Sequence, residues 1–148
     1  MALVLPLLLT LGCGGTSASA RPVVLPSGGA NELDARYAER EPLEVLRGRA
    51  SYYSDRLAGH RTANGDRYRP RLFTAASRDL PFGTIVRVVR EDDGRAVTVR
   101  VNDRGPFGDH SRILDLSRAA AEQLGMIRAG VVQIRAEILE RGAGRRHR

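Results

Sequence analysis

The sequence contains no lysine, no tryptophan and only one cysteine. Because Cys13 is the single thiol, a folded domain of this chain has no internal disulfide and must be held together by packing alone. The aromatic residues are four tyrosines and three phenylalanines, so several of these rings are needed for the core. All 24 basic residues are arginines, and the formal net charge is +7.

This charge by itself is compatible with nucleic acid, anionic lipid or an anionic wall polymer as the partner. The sequence lacks a zinc-ligand pattern, an aromatic RNA-binding motif and a recognition helix, so we expect no nucleic-acid partner. A Ser-His-Asp set, a phosphate-binding loop and a metal-ligand cluster are missing as well, and we expect neither metal nor cofactor. Four arginines lie within residues 141–148, which we predict to be a basic disordered tail; without them the formal charge falls from +7 to +3.

The sequence also lacks an apolar run of the roughly 20 residues that span a bilayer. Residues 2–11 form a shorter apolar run, and residues 9–14 (LTLGCG) are similar to a bacterial lipobox. We therefore predict a lipoprotein-type signal peptide over residues 1–12 and lipidation of Cys13. The alternative is an ordinary signal peptide with an incidental cysteine. Since Gly14 follows the cysteine where retained lipoproteins have aspartate, we expect attachment to the outer membrane facing the periplasm if the cell has one, and otherwise a secreted or periplasmic protein.

Residues 13–45 are rich in glycine, serine, alanine and proline and are predicted to be a linker, with one or two helical turns within 31–40. From Arg47 onward the sequence changes to short strands separated by turns. Residues 86–88 and 97–101 alternate apolar and polar side chains around Asp93-Gly94, which predicts an antiparallel hairpin. Further strands are predicted within 48–53, 73–76 and 131–139.

One helix is predicted over residues 118–124, because Ser117 can cap its first turn and Gly125 is suited to end it. About six strands with one or two short helices, and no βαβ alternation, predict an all-β fold. We expect a small closed or nearly closed barrel over residues 46–140, since closure removes exposed sheet edges.

Three motif blocks identify a family resemblance. They are residues 48–53 (GRASYY) with 62–66 (TANGD), residues 73–84 (FTAASRDLPFGT), and residues 101–107 (VNDRGPF) with 112–117 (RILDLS). Together they resemble the rare lipoprotein A family. The resemblance implies a six-stranded double-psi β-barrel, similar to those of expansins and barwin-like proteins, that binds peptidoglycan glycan strands.

In some members of that family the domain is a lytic transglycosylase that prefers strands without stem peptides. Such an enzyme breaks the bond between N-acetylmuramic acid (MurNAc) and N-acetylglucosamine (GlcNAc), and the muramyl 6-hydroxyl attacks internally to leave a 1,6-anhydro end. No water is consumed, so one carboxyl group can protonate the leaving oxygen and later help to remove the hydroxyl proton.

The candidate catalytic residues are Asp103, Asp66 and Ser77. Asp103 follows a strand in a Gly-Pro loop, and the resemblance implies that it is the catalytic acid/base; the alternative is a capped turn with a local ion pair to Arg104. The resemblance places Asp66 where glutamate is usual. It places Ser77 where active members have histidine, and serine cannot carry a proton at neutral pH.

The candidate substrate-binding residues are polar or aromatic side chains near these positions: Tyr53, Thr62, Asn64, Thr74, Asn102 and Arg104. Tyr52, Tyr53, Tyr68 and Phe107 are candidates for stacking on sugar rings, although one of the two adjacent tyrosines must face the core. Asn64 before Gly65 is equally suited to a turn. Asp115 lies just before the helix cap and is predicted to be structural, and His60 and His110 are predicted to be solvated.

Two functions remain open at this point. The first is an endolytic peptidoglycan lytic transglycosylase with Asp103 as acid/base, which the retained carboxylates favour. The second is a non-catalytic, expansin-like peptidoglycan-binding envelope lipoprotein, which the serine at position 77 favours. A third interpretation is an anchored partner of cell-envelope or division proteins. In all three the protein lies in the cell envelope.

Overall fold

The structure is a computed structural model that describes residues 31–145. The predicted signal peptide, Cys13 and the last three residues of the predicted tail lie outside the described residues. The described part contains two short α-helices, one turn of 3-10 helix (Asp55–Leu57) and six strands. The α-helices and strands are α1 (Glu32–Arg36), β1 (Glu44–Tyr52), β2 (Thr74–Ala76), β3 (Ile85–Arg90), β4 (Ala96–Asp103), β5 (Arg112–Leu116), α2 (Arg118–Gln123) and β6 (Val132–Glu140).

The six strands close into a barrel in the order β1-β5-β2-β4-β3-β6. The pairs β1–β5 and β2–β4 are parallel, and the other four pairs are antiparallel. Closure leaves no unpaired sheet edge among these strands. The prediction of a small six-stranded double-psi β-barrel with short helices is confirmed.

The β3–β4 hairpin forms as its alternating pattern predicts. Val86 and Val88 on β3 pair with Val99 and Val97 on β4, and all four side chains are fully buried. Gly94 in the turn has φ +73°, a conformation that favours glycine over residues with a Cβ. The hairpin therefore supplies one wall of the apolar core and brings the end of β4, Asp103, to the barrel rim.

Helix α2 begins and ends where its sequence signals predict. The Oγ atom of Ser117 accepts a hydrogen bond from the backbone N–H of Ala120, and Gly125 follows the helix with φ +67°. Ser117 also exchanges hydrogen bonds with the backbone of Thr74. The end of β5 is thereby held against the start of β2.

Residues 31–43, which fall within the predicted linker, pack against the barrel. Asp34 accepts hydrogen bonds from Thr98 N at 2.6 Å and from Gln123 Nε2 at 2.6 Å. Tyr37 is buried, and its hydroxyl donates to Glu140 Oε2 at 2.8 Å. The folded unit therefore extends to Asn31, because polar side chains in a segment of linker-like composition pair with the barrel.

Candidate active site

Two carboxylates lie in one row across four neighbouring strands. Asp103 on β4 pairs with Ala76 on β2, Ala76 pairs with Asp115 on β5, and Asp115 pairs with Ser51 on β1. Directly paired residues point to the same face of a sheet, and a one-residue register shift between Ala75 and Ala76 brings Asp103, in place of Asn102, opposite Ala76. Since neighbouring strands are about 4.8 Å apart, the backbones of Asp103 and Asp115 are separated by roughly 10 Å, with the small side chain of Ala76 between them. We call these four residues the carboxylate row.

The Asp103 carboxylate is held by three hydrogen-bond donors. Its Oδ2 atom accepts from the Tyr53 hydroxyl at 2.8 Å, and its Oδ1 atom accepts from the backbone N–H of Ala63 at 2.7 Å and of Arg104 at 2.8 Å. The side chain remains partly exposed. Asp103 is therefore fixed in orientation while it stays accessible from solvent.

Tyr53 is a neutral donor to this carboxylate. Burial raises the pKa of its phenol well above the usual value, and the hydrogen bond to Asp103 raises the pKa further. Its ring lies 4.6 Å from the Tyr68 ring, centroid to centroid. Tyr52 packs on the core, as the expected alternation requires, and its hydroxyl donates to Ile127 O. The position of Tyr53 thus favours holding Asp103 over presenting a ring to a sugar.

Arg104 turns away from the carboxylate beside it. Its Nη1 atom donates to Leu80 O at 2.9 Å and to Ser77 O at 3.1 Å, and its guanidinium lies 3.8 Å from the centroid of the Phe82 ring. The local Asp103–Arg104 ion pair, the structural alternative weighed from the sequence, does not form. Arg104 instead stabilises the loop 77–80 through hydrogen bonds to its backbone carbonyl groups.

Ser77 caps that loop. The side chain is only 4% exposed, and its Oγ atom accepts hydrogen bonds from the backbone N–H groups of Leu80 at 3.2 Å and Asp79 at 3.4 Å. Its own N–H donates to Asp103 O. Ser77 is therefore next to the backbone of Asp103, but its hydroxyl serves the turn.

Asp66 belongs to a buried polar network. Its Oδ2 atom accepts from Asn64 Nδ2 at 3.0 Å and from Asn102 Nδ2 at 3.4 Å. Thr62 Oγ1 donates to Asn64 Oδ1 at 2.7 Å, and the backbone N–H of Asn64 donates to Asn102 O. Thr62, Asn64 and Asn102 are all buried. Thr62 and Asn64 thus form the turn that was the alternative for Asn64, and they position Asp66.

A cavity of about 480 Å³ adjoins this network and groups Asp66, Thr74 and Asn102. Asp103 does not line it. Asp66 belongs to the loop 62–66, where it accepts from Asn64 Nδ2, and Asp103 accepts from Ala63 N of the same loop. The two carboxylates are therefore connected through one loop, and of the two only Asp66 lines the cavity.

Phe107 is the exposed ring among the four stacking candidates, at 72%. The loop that carries it is anchored by arginines, since Pro106 O accepts from Arg78 Nη1 at 2.6 Å and Phe107 O accepts from Arg112 Nη2 at 3.3 Å. Tyr68 is buried, with its hydroxyl accepting from Arg118 N. An aromatic face is thus presented four residues after Asp103.

Asp115 is the functional candidate that the sequence did not single out. It hydrogen-bonds Ser51 Oγ, and Arg112 Nη1 lies 3.6 Å from its Oδ1 atom. Asp115 lies at the end of β5 just before the helix cap, as expected, and the strand register also puts it on the face of Asp103. Only the pairing of β5 with β2 reveals this, and no local sequence signal encodes that pairing. His60 and His110 are exposed, as predicted.

Within residues 31–145, no three metal-binding side chains lie together. No helix in this part of the chain is both long enough and apolar enough to cross a membrane.

The motifs, the barrel and the carboxylate row agree with a comparison of sequences, in which residues 45–136 match the family described as lytic transglycolase. The chain belongs to the lytic transglycolase family. A probable endolytic peptidoglycan transglycosylase RlpA of Nostoc sp. is 53% identical over 98 residues, which cover 65% of this chain and 26% of the relative. The endolytic peptidoglycan transglycosylase RlpA of Vibrio cholerae is 46% identical over 92 residues, covering 62% of this chain and 35% of the relative. The chain thus matches about a third or less of these curated relatives.

Solved structures of similar fold extend this family comparison. The Streptomyces papain inhibitor has a TM-score of 0.55 and 26% sequence identity, and the match covers 67% of this chain and 97% of the inhibitor. An apo Clavibacter michiganensis expansin has a TM-score of 0.52 and 26% identity, covering 68% of this chain and 53% of the expansin. The expected likeness of the lytic transglycolase barrel to expansins is confirmed.

Proposed function

We propose that this protein is an endolytic peptidoglycan lytic transglycosylase that cleaves the MurNAc–GlcNAc bond of glycan strands without stem peptides. One observation carries the proposal: the Asp103 carboxylate is fixed by Tyr53, Ala63 and Arg104 at the barrel rim and stays accessible. Membership of the lytic transglycolase family and the names of the RlpA relatives support the same reaction.

In this mechanism the Asp103 carboxyl group gives its proton to the glycosidic oxygen as the bond from muramyl C1 to that oxygen breaks. The muramyl O6 atom bonds to C1 and closes the 1,6-anhydro ring. The O6 proton passes to the Asp103 carboxylate, which restores the acid without consuming water. Tyr53 stays protonated throughout and holds the carboxylate. Asp115, on the same face of the sheet, is the second carboxylate available to the sugar ring.

A non-catalytic, expansin-like glycan binder is the second candidate function. The observation that favours it is the Ser77 hydroxyl, which accepts two backbone hydrogen bonds in its turn and offers Asp103 no proton-carrying partner. The likeness of the barrel to an expansin and to an inhibitor is compatible with binding alone.

The deciding experiment incubates the purified full chain with peptide-free glycan strands and examines the products by mass spectrometry. A transglycosylase produces anhydromuramyl ends, and Asp103→Asn lowers their rate of formation by about 10²-fold or more, because the amide keeps the shape but cannot transfer the proton. Strands that are bound but not shortened by the wild-type protein would establish the binder and reject the enzyme.

We also propose that the protein acts in the cell envelope, attached to the membrane through a lipid on Cys13, with cell-envelope or division proteins as partners. The apolar run before a cysteine supports this location. Fractionation of cells that express wild type or Cys13→Ser tests the anchor. Unchanged membrane attachment of the variant would reject it.

A further inference from the structure

The cavity beside Asp66 is lined by three arginines, at the junction of α1, the loop 66–72 and β4. Its charged and polar lining includes Asp66, Arg67, Arg69, Thr74, Arg100 and Asn102. Leu72 and Phe73 add apolar surface to the same wall. We call this the arginine cavity. Its volume of about 480 Å³ falls in the range of sites for small ligands.

None of the three arginines forms an ion pair within residues 31–145, and two of them lack side-chain hydrogen bonds as well. Within residues 31–145, the guanidinium groups of Arg69 and Arg100 make neither an ion pair nor a hydrogen bond, whereas Arg67 Nη1 donates to Gly59 O at 3.0 Å. Several other arginines are ion-paired, as Arg87 is with Glu137 at 3.0 Å. Two such guanidinium groups facing one cavity indicate a site for an anion, and the planar guanidinium is well suited to a carboxylate.

The cavity does not attract every anion equally. Glu32 and Asp66 also line it, so the three arginines face two carboxylates and the net charge of the lining is small. A highly charged polyanion gains less electrostatic binding energy from such a cavity than a single carboxylate that contacts the two arginines. The charge pattern therefore favours one carboxylate on an otherwise neutral ligand.

Asn102 provides a second, independent indication of the ligand, since it offers an acceptor atom without a donor. Its side chain is 5% exposed, and its Oδ1 atom is buried with no hydrogen-bond partner among the described residues. Because Nδ2 donates to Asp66 Oδ2 at 3.4 Å, turning the amide over would place two oxygens against each other. The Oδ1 atom is therefore an acceptor that lacks a donor, and a ligand N–H or O–H would satisfy it.

We propose that the arginine cavity is a subsite for a MurNAc residue with a free lactyl carboxylate, in which Arg69 and Arg100 bind the carboxylate and Asn102 Oδ1 accepts the acetamido N–H. This inference rests on the proposed glycan substrate. MurNAc combines one carboxylate, one acetamido N–H and an otherwise neutral ring, which is the set that the lining requires. In strands that carry stem peptides the lactyl carboxyl is an amide and has lost its charge. The two arginines therefore select for strands without peptides.

Binding measurements on chemically matched strands test the arginines. Peptide-free strands are compared with the same strands after their lactyl carboxyls are converted to methylamides. We expect wild type to bind the free acids about tenfold more tightly than the amides. The double variant Arg69→Gln, Arg100→Gln should bind both equally, while Arg71→Gln, an exposed arginine outside the lining, should keep the difference. Equal wild-type affinity for the two forms, or a difference that survives in the double variant, would overturn the proposal.

Asn102 is tested with strands from which the acetyl groups have been removed. Asn102→Ala should lose several-fold affinity for acetylated strands and none for deacetylated strands, with circular dichroism used to show that the variant is folded. An equal loss on both would contradict the acetamido contact. Product analysis separates this proposal from the proposed function. Selective binding without anhydromuramyl products would reject cleavage and keep the subsite, whereas equal cleavage of acid and amide strands would keep the enzyme and reject the subsite.

Discussion

Among individual residues, Tyr53 gives the clearest test, because Tyr53→Phe removes only its hydrogen bond to Asp103. We predict that Tyr53→Phe lowers the free energy of unfolding by about 1–3 kcal/mol at neutral pH, because it removes a hydrogen bond to a charged group. The pKa of Tyr53 is raised in the folded protein, so its stabilising contribution is complete below pH 10, the usual tyrosine range, and declines as the pH rises above it.

The stability difference between wild type and Tyr53→Phe should therefore shrink by up to about 1.4 kcal/mol for each pH unit above 10. Urea unfolding followed by circular dichroism from pH 7 to pH 11 measures it. Tyr52→Phe is the matched control, since that hydroxyl contacts a carbonyl oxygen and no carboxylate. Parallel pH curves for wild type and Tyr53→Phe would contradict the assignment of this hydrogen bond.

A substitution at Ser77 distinguishes two roles of its hydroxyl group, namely stabilising the turn and taking part in the reaction. Because its hydroxyl accepts from Asp79 N and Leu80 N, Ser77→Ala should lower stability by about 0.5–2 kcal/mol, as loss of a comparable cap does. The cleavage rate below the unfolding transition should stay within about twofold of wild type. A large loss of anhydromuramyl products at unchanged stability would show instead that the hydroxyl takes part in the reaction.

Sequence patterns alone gave the position of Asp103 but not its surroundings. The Gly-Pro loop after an alternating strand is a local signal, and it predicts an accessible carboxylate. The partners of that carboxylate come from residues 40 or more positions earlier, Ala63 and Tyr53, and such contacts depend on barrel closure. The same dependence explains Arg104. Its place next to Asp103 in the sequence suggests an ion pair, but in the folded barrel its side chain donates to Leu80 O instead.

At the scale of secondary structure, the elements with local signals were predicted, including helical turns within 31–40, but the docking of that segment on the barrel was not. The β3–β4 hairpin follows from its alternation and its Asp-Gly turn, and α2 follows from Ser117 and Gly125. Helix α1 has a capping residue, Asn31, but five helical residues give no apolar face to detect. It is held by polar contacts of Asp34 with β4 and α2, which composition cannot show.

Because α1 is held on the barrel by Asp34, we predict that loss of this side chain lowers the stability of the protein. Asp34→Ala removes the acceptor of Thr98 N and of Gln123 Nε2, so we expect the free energy of unfolding to fall by about 2–3 kcal/mol. Glu32→Ala, an exposed carboxylate of the same helix, is the control and should change stability by less than about 0.5 kcal/mol. Urea unfolding measures both variants. Equal, small effects would mean that α1 does not contribute to the stability of the barrel.

For the molecule as a whole, the carboxylate row and the arginine cavity are separate features on one small barrel, and a glycan strand that engages both must be longer than one that reaches Asp103 alone. Binding energy at a remote subsite raises the rate at the reacting bond only for substrates that extend into it. We therefore predict that wild type cleaves long peptide-free strands faster than short oligosaccharides, as the ratio kcat/KM of anhydromuramyl product formation.

The double variant Arg69→Gln, Arg100→Gln should lower kcat/KM for long strands by about tenfold and leave it nearly unchanged for oligosaccharides too short to reach the arginine cavity. Asp103→Asn, by contrast, should lower kcat/KM for both substrates alike, because it removes the proton transfer itself. A series of strands fractionated by length, each with all three proteins, measures these ratios. If the double variant slows short and long strands equally, the arginines act on the reacting bond or on the fold, and not as a remote subsite.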